Sequence, residues 1–186
     1  MKKYLLVALC CLFSILTQAQ TEHMKFMGIP LNGSITAFQT KLQAKGIRYD
    51  AETSRQLSAG CRCFKGSFSS EKADFYVYYN EKTKIVYRAK AVITCLNKDS
   101  GEEKFYTFRS MLKSKYSTGI VTDSEQEGHP ALSIFVYNSK QDKGMGYVNM
   151  YIANSLYSFM DEVTLHIDYE DIANSDVNHV NNMDDL

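Results

Sequence analysis

Three consecutive runs between Cys61 and Cys95 alternate apolar and polar residues, and short turns separate them. The runs are Cys61 to Phe68, Asp74 to Tyr79 and Lys84 to Cys95. A period of two is typical of strands that bury one face, and the short connection NEKT between the last two runs predicts a hairpin. The sequence therefore constrains this part of the chain to an antiparallel sheet with two chemically different faces.

Alternation assigns each side chain of these strands to one face of the sheet. The apolar set predicts a buried face that a helix covers, and its members are Phe64, Phe68, Phe75, Val77, Ile85, Tyr87, Ala89, Ala91, Ile93 and Cys95. The opposite face is predicted to be open, and its side chains are Cys61, Cys63, Lys65, Tyr76, Tyr78, Arg88 and Lys90.

Two amphipathic helices are predicted from apolar residues at helical spacing. The first runs from Ser34, a residue type that caps helices, to Lys45, and Gly46 ends it. The second runs from Gly101 to Ser117 and has acidic residues in its first turn, where the helix dipole favours them. Each helix has one apolar side, so both are expected to pack on a sheet.

Strand-like alternation returns after the second helix. The three runs are Ala131 to Tyr137, Met145 to Ala153 and Met160 to Tyr169. Two polar stretches are predicted as loops: residues 50–60, with room for a short edge strand, and the segment TDSEQEGHP that precedes the second set of strands.

The two halves of the chain echo each other. FQTKLQAKG begins at Phe38, FRSMLKSKY begins at Phe108, and each predicted helix is followed by a loop and three strands. Packing alone can produce such a helix match, but the shared order of elements favours duplication. We therefore predict an α+β fold of two tandem helix-plus-antiparallel-sheet halves, with the helices packed on one face of the sheet.

The predicted segments are a signal peptide at 1–19, a first α+β half at 20–97, a second α+β half at 98–170 and an acidic C-terminal tail at 171–186, which is either a short surface helix or loose.

The first residues have the pattern of a secretory signal peptide. Two lysines precede the apolar run from Tyr4 to Leu16, and small residues end the segment at Ala19. The run is too short for a membrane span of about 20 residues. We expect an exported protein, periplasmic or extracellular, without a membrane span. A lipid anchor is disfavoured because Leu9, not a small residue, precedes Cys10.

The charge balance argues against nucleic acid as a partner. Lys2 and Lys3 leave with the signal, so 19 basic residues face 21 acidic ones, a net charge of −2. Phosphate backbones are bound by a concentrated excess of basic residues, which this chain lacks.

Three cysteines remain after removal of the signal, so at most one intramolecular disulfide can form. Cys61 and Cys63 stand two apart on a strand and can act as a redox pair or as two ligands of a soft metal. A bulge that turns one of them towards Cys95 is an equal alternative. Since a structural zinc site needs four ligands, we expect no metal here, and Cys95 is interpreted as a small core hydrophobe.

No catalytic signature is present, and we expect neither enzymatic activity nor a cofactor. Nucleophile-elbow, phosphate-loop and zinc-protease motifs are absent from the sequence. Glu162, Thr164, His166 and Asp168 alternate along one predicted strand face, which suits a cation or a proton-transfer pair. The alternative, which we favour, is a solvated face. His23, His129 and His179 have no evident partner nearby in the sequence.

Aromatic and basic residues of the open face are the best candidate binding site. The chain has thirteen tyrosines, and several fall on this face beside cationic residues. The candidate binding residues are Tyr76, Tyr78, Arg88, Lys90, Tyr147 and Tyr151. Tyrosine and arginine dominate many protein interfaces, although such pairs also stabilise exposed sheets. We therefore predict a module that captures another envelope or extracellular protein or peptide. The alternatives are a carbohydrate-binding or carbohydrate-processing accessory protein, whose tyrosines stack on sugars, and a thiol redox protein.

Part of the chain resembles a known group of proteins. The segment HMKFMGIPLNGSITAFQTKLQAKGI, the later FYVYYNEKTKIVYRAKAV and the closing DDL are similar to exported, uncharacterised proteins of gut Bacteroidetes. That resemblance implies export and a bacterial source, and Cys61 and Cys63 depart from its pattern. A tandem helix-plus-sheet unit is also similar to the β-lactamase-inhibitor-protein-like fold, which implies protein binding on an open sheet face.

Overall fold

One antiparallel sheet organises the molecule. The computed structural model describes residues 22–139, 142–154 and 162–183, with side chains through residue 178. The strands are β1 (Lys25–Phe26), β2 (Ile29–Pro30), β3 (Arg48–Asp50), β4 (Cys61–Phe68), β5 (Glu71–Tyr79), β6 (Val86–Cys95), β7 (Ile120–Gln126), β8 (His129–Asn138), β9 (Lys143–Asn154) and β10 (Val163–Asp171). The helices are α1 (Ile35–Ala44), α2 (Ala51–Gln56), α3 (Lys98–Lys115) and α4 (Ile172–Met183). Strands β3 to β10 form a sheet of eight, in the spatial order β3-β4-β5-β6-β10-β9-β8-β7, and β1 and β2 pair separately.

Local capping sets where the two long helices begin and end. The Ser34 hydroxyl accepts a hydrogen bond from the Ala37 amide and starts α1. Asn97 and Ser100 exchange side-chain and backbone hydrogen bonds in a capping box that starts α3. Gly46, at φ +81°, supplies the left-handed turn after α1. Both predicted helices are present: α1 agrees with the predicted bounds, whereas α3 begins at Lys98 and ends at Lys115 where Gly101 and Ser117 were predicted.

Helices α1 and α3 pack on the same face of the sheet and bury one continuous core. The helical contribution to this core is Ile35, Phe38, Leu42, Phe105, Phe108 and Leu112. The strands contribute Phe64, Phe75, Val77, Ala89, Ala91, Ile93, Cys95, Ile134, Val148, Met150, Ile152, Val163, Leu165, Ile167 and Tyr169, all from one face. The residues that alternate with these along each strand point to the other face.

The N-terminal segment is part of the core and not a loose leader to the first helix. Phe26 is fully buried, and its ring contacts those of Phe68, Phe75 and Tyr169 at centroid distances of 5.8, 6.0 and 5.3 Å. The Met24 amide donates to the Asp171 carboxylate at 2.8 Å. The start of the described chain is therefore tied to the end of β10.

The predicted fold class, two tandem helix-plus-sheet halves, is wrong. About half of the described residues are in strands and less than a third are in helices, so the protein is mostly β. The sheet does not divide, because β6 pairs with β10 over eight residues, from Cys95 opposite Val163 to Arg88 opposite Glu170. The backbone hydrogen bonds of this ladder join the segments that the sequence pattern had separated.

Two segments predicted as loops contain regular structure. Residues Ile120–Gln126 form β7, an edge strand that is exposed apart from Val121 and so shows no apolar alternation. Within residues 50–60, Asp50 accepts hydrogen bonds from the Glu52 and Thr53 amides and starts the short helix α2. The six predicted strands are present, with ends that differ from the predicted ones by up to three residues. The predicted start of the last strand, Met160, lies outside the described residues.

A bulge reverses the predicted faces at the start of β6. The register shifts between Tyr78 and Tyr79, so Tyr79 pairs with Val86 and the strand carries one extra residue. Val86 is fully buried, whereas Ile85 and Tyr87, predicted to be buried, are half-exposed. Beyond the bulge, the predicted alternation holds.

The predicted signal peptide at 1–19 lies outside the described residues. In the part of the chain that is described, no helix is long and apolar enough to cross a membrane. Helix α4 occupies most of the predicted tail at 171–186, and its Ser175 is buried. Export and the limits of the predicted segments remain predictions.

Candidate functional site

The open face of the sheet, defined as the face that points away from α1 and α3, carries all six candidate binding residues. On β5 and β6, Tyr76 lies opposite Lys90 and Tyr78 lies opposite Arg88. On β9, Tyr147 and Tyr151 share the face through their pairing with β10. Strand β10 separates the two groups, so the candidate residues form two clusters and not one continuous patch.

The ion pair between Arg88 and Asp168 is the electrostatic centre of the open face. The Arg88 Nε donates to both Asp168 carboxylate oxygens, at 2.9 and 3.0 Å, and Nη2 also donates to Oδ2. Asp168 is only 3% exposed, so its prediction as a solvated residue is wrong. The hydrogen bonds to Asp168 raise the pKa of Arg88 above its ordinary value, so the guanidinium stays charged at every physiological pH.

Aromatic rings hold the two cations of β6. The Arg88 guanidinium lies 5.1 Å from the centroid of the Tyr78 ring, and the Lys90 ammonium lies 5.7 Å from that of Tyr76. Burial is the main cause that raises the pKa of Tyr78 to about 12, so its hydroxyl is protonated and can donate a hydrogen bond. These contacts fix four large side chains in one orientation.

Stacked rings form the second cluster. Tyr151 stacks on His166 at a centroid distance of 4.7 Å with planes 11° apart, and Tyr147 packs against Phe135 at 5.2 Å. Tyr147 is 39% exposed and is the most accessible ring of the open face. This second cluster is therefore aromatic and lies beside the charged cluster of β5 and β6.

Thr164 and His166 have the separation of a hydroxyl and its general base, but their surroundings do not activate either group. Thr164 Oγ1 lies 2.8 Å from His166 Nε2, and it also donates to the Ala153 carbonyl oxygen at 3.3 Å. His166 Nδ1 is buried and has no hydrogen-bond partner among the described residues. Burial, helped by Lys90, lowers the pKa of His166 to about 4, which makes it a weak base. The pair is structural.

This low pKa makes stability depend on pH. The unfolded His166 has an ordinary pKa near 6.5 and binds a proton first as the pH falls, so its contribution to stability is complete above pH 6.5 and is lost towards pH 4. The variant His166→Phe keeps a ring on Tyr151 but cannot bind a proton there. Between about pH 6.5 and 4.5, we expect its free energy of unfolding to fall by about 2 kcal/mol less than that of the wild type. Urea titrations across this range measure it. An unchanged pH dependence in His166→Phe would contradict the burial of the neutral ring.

The cysteines are unsuited to redox chemistry in this structure. Cys61, Cys63 and Cys95 are all free thiols. Burial raises the pKa of Cys61 and of Cys63 to about 11, so both are protonated at neutral pH and react slowly as nucleophiles. Cys95 lies in the core on the other face of the sheet, as predicted.

Two histidines have partners that their positions in the sequence did not reveal. His23 Nδ1 lies 3.1 Å from the Asp171 carboxylate, and the buried His129 lies 3.2 Å from the Asn154 amide oxygen. The side chain of His179 lies outside the described ones. Among the described residues, no group of three or more His, Cys, Asp or Glu side chains is arranged to hold a metal ion.

A cleft of about 490 Å³ opens at the end of the sheet, beside the charged cluster of β5 and β6. Its aromatic and polar lining combines Cys61, Tyr78, Tyr79, Asn80, Glu81, Tyr87 and Asn178. The Asn80 amide donates to the Asn178 side chain at 3.0 Å, which joins the β5–β6 turn to α4. Sequence reasoning missed this cleft because Asn178 is far away in the chain and Tyr87 reaches the cleft only through the bulge.

Comparisons of the chain with protein-family models, with curated proteins and with solved structures found no match. The two resemblances stated above remain predictions.

Proposed function

We propose that this protein is an exported, non-enzymatic binding module that captures another protein or peptide on the open face of its sheet. The observation that carries the proposal is the pair of ring–cation contacts, Tyr76 with Lys90 and Tyr78 with Arg88, on neighbouring strands of that face. Tyrosine and arginine supply large contact areas with polar tips, and they lose little conformational freedom on binding when they are already held.

The size of the open face is suited to a protein partner. The five strands β5, β6, β10, β9 and β8 are neighbours in the sheet. With strands about 4.8 Å apart and about 3.3 Å per residue, they offer a footprint of roughly 700 Å², close to what one partner buries in a standard interface. The footprint is larger than the contact area of a small molecule alone.

The chemistry of the candidate nucleophiles supports a non-enzymatic role. Cys61 and Cys63 are protonated thiols, and the base beside Thr164 has a pKa of about 4. Arg88 and Asp168 neutralise each other in a two-pronged ion pair. Groups held in this way can bind and orient a partner, but they neither donate nor accept protons near neutral pH.

Carbohydrate binding is the second candidate, and the cleft at the end of the sheet favours it. Tyr78, Tyr79 and Tyr87 contribute rings, and Asn80 and Asn178 contribute amides, to its lining. Rings with adjacent amide groups can bind the apolar and hydroxyl faces of a sugar, and the cleft volume falls in the range of small-ligand pockets. Binding on a glycan array that Tyr87→Ala abolishes and Tyr76→Ala leaves intact would support this second candidate.

We expect the double variant Tyr76→Ala/Tyr78→Ala to weaken capture of the partner by at least about tenfold, because each ring supplies about 1 kcal/mol or more at an interface. A pull-down from an envelope extract of the source organism, with quantified recovery, measures it. The matched control is Tyr106→Ala/Met111→Ala, which removes two exposed side chains from α3 on the opposite side of the sheet. Equal recovery by wild type and the Tyr76→Ala/Tyr78→Ala variant, with both folded by circular dichroism, would refute the open face as the binding site.

A further inference from the structure

Lys90 lies at the centre of the charged cluster and has no carboxylate of its own. In the sheet register its neighbours are Tyr76 on β5 and Asp168 on β10. The Asp168 carboxylate, however, is occupied by Arg88 through both of its oxygens. Among the described residues, Lys90 forms no ion pair, and its ammonium lies over the Tyr76 ring.

Lys90 is the cation of this cluster that has no ion-pair partner among the described residues. Asp168 pairs with Arg88, while Glu170 and Asp74, the other carboxylates on this face, form no ion pair with Lys90. His166, which faces the same region from β10, is neutral at physiological pH because its pKa is about 4.

Keeping this charge has an energetic cost that a ligand can offset. Burial lowers the pKa of Lys90, and the neighbouring Arg88 lowers it further, although Asp168 acts in the opposite direction. A partly buried ammonium without a carboxylate loses hydration that its own protein does not replace. An anion brought to Lys90 would gain from both the charge and the low local polarity.

We propose that Lys90 is the recognition point for a single carboxylate of the captured protein, an aspartate or glutamate flanked by apolar or aromatic residues that pack on Tyr76 and Tyr151. This inference rests on the proposed function and deepens it by naming the chemistry of the partner. The carboxylate pairs with the Lys90 ammonium while its flanking side chains cover the stacked rings of the second cluster.

A monoanion fits this position better than a phosphate. Phosphate groups are bound by several cations or by a forked guanidinium. Here the guanidinium of Arg88 is committed to Asp168, so the available cation is one ammonium. One ammonium without an ion-pair partner suits one carboxylate.

Selection of random 12-residue peptides displayed on phage tests this inference without knowledge of the natural partner. The probes are the selected peptides, synthesised together with twins in which Asp or Glu is replaced by Asn or Gln. Dissociation constants are measured by fluorescence anisotropy for wild type, Lys90→Met and Lys115→Met. Lys115 is the matched control, since its ammonium also lies over rings, Tyr116 and Tyr169, but is on the helix side of the sheet.

We expect wild type and Lys115→Met to prefer the acidic peptide over its amide twin by about tenfold or more, and Lys90→Met to lose this preference. Added salt should weaken the binding of the acidic peptide more than that of its amide twin. If the selected peptides need Tyr76 and Tyr78 but bind equally with Asp or Asn, the role of Lys90 is refuted and the proposed function stands. If no peptide is enriched, or binding is insensitive to Tyr76→Ala/Tyr78→Ala, both the inference and the proposed function fail.

Discussion

Gly146→Ala should destabilise the protein by about 3 to 5 kcal/mol, a large part of the total stability of an ordinary domain. A β-carbon at this position of β9 would overlap with the Glu170 carbonyl oxygen on β10 and with the Met24 side chain. Neither neighbour can move aside easily. The β9–β10 ladder fixes Glu170 through its pairing with Tyr147, and the Met24 amide is held by the Asp171 carboxylate.

Urea unfolding followed by circular dichroism measures this loss. Gly33→Ala is the matched control, because a β-carbon there would meet no atom within 4 Å. We expect the control to stay within about 0.5 kcal/mol of wild type. A loss below about 1 kcal/mol in Gly146→Ala would show that the N-terminal segment is not packed against the β9–β10 ladder as described.

The elements that could be predicted from the sequence are those whose signals are local. The helix that starts at Ser34 and the hairpin around NEKT combine a cap or a turn with a regular apolar pattern, and both are found where expected. The ring–cation pairs Tyr76 with Lys90 and Tyr78 with Arg88 follow directly from that hairpin.

The elements that could not be predicted depend on distant contacts or carry no apolar pattern. Strand β7 is exposed along most of its length, and its residues are polar apart from Ile120 and Val121. The pairing of β6 with β10 leaves no trace in either strand alone, and this pairing decides that the sheet is continuous. Helix α2 is an intermediate case, because Asp50 and the short polar run after it are a local capping signal that the prediction of a loop did not use.

The same distinction explains what was missed in the site. Arg88 was recognised as a surface residue of the open face, but its partner is 80 positions away and becomes a neighbour only through the β6–β10 ladder. Without that ladder, Asp168 looks like an exposed carboxylate on an alternating strand. With it, Arg88 has a fixed orientation and Lys90 is left as the unpaired cation.

Arg88→Met should therefore reduce the free energy of unfolding by about 3 kcal/mol, because it leaves the Asp168 carboxylate buried without its guanidinium. The expected loss lies at the low end for a buried pair, since the Arg88 side chain is 37% exposed and Lys90 lies opposite Asp168 in the register. Urea titrations of wild type, Arg88→Met, Asp168→Asn and the double variant form the thermodynamic cycle that isolates the pair. We expect the double variant to lose less than Arg88→Met alone, because the amide no longer carries an uncompensated charge. If the losses of unfolding free energy in the two single variants add up in the double variant, Arg88 and Asp168 are solvated independently. The open face would then have two cations available to a partner, Arg88 and Lys90, where only Lys90 is proposed.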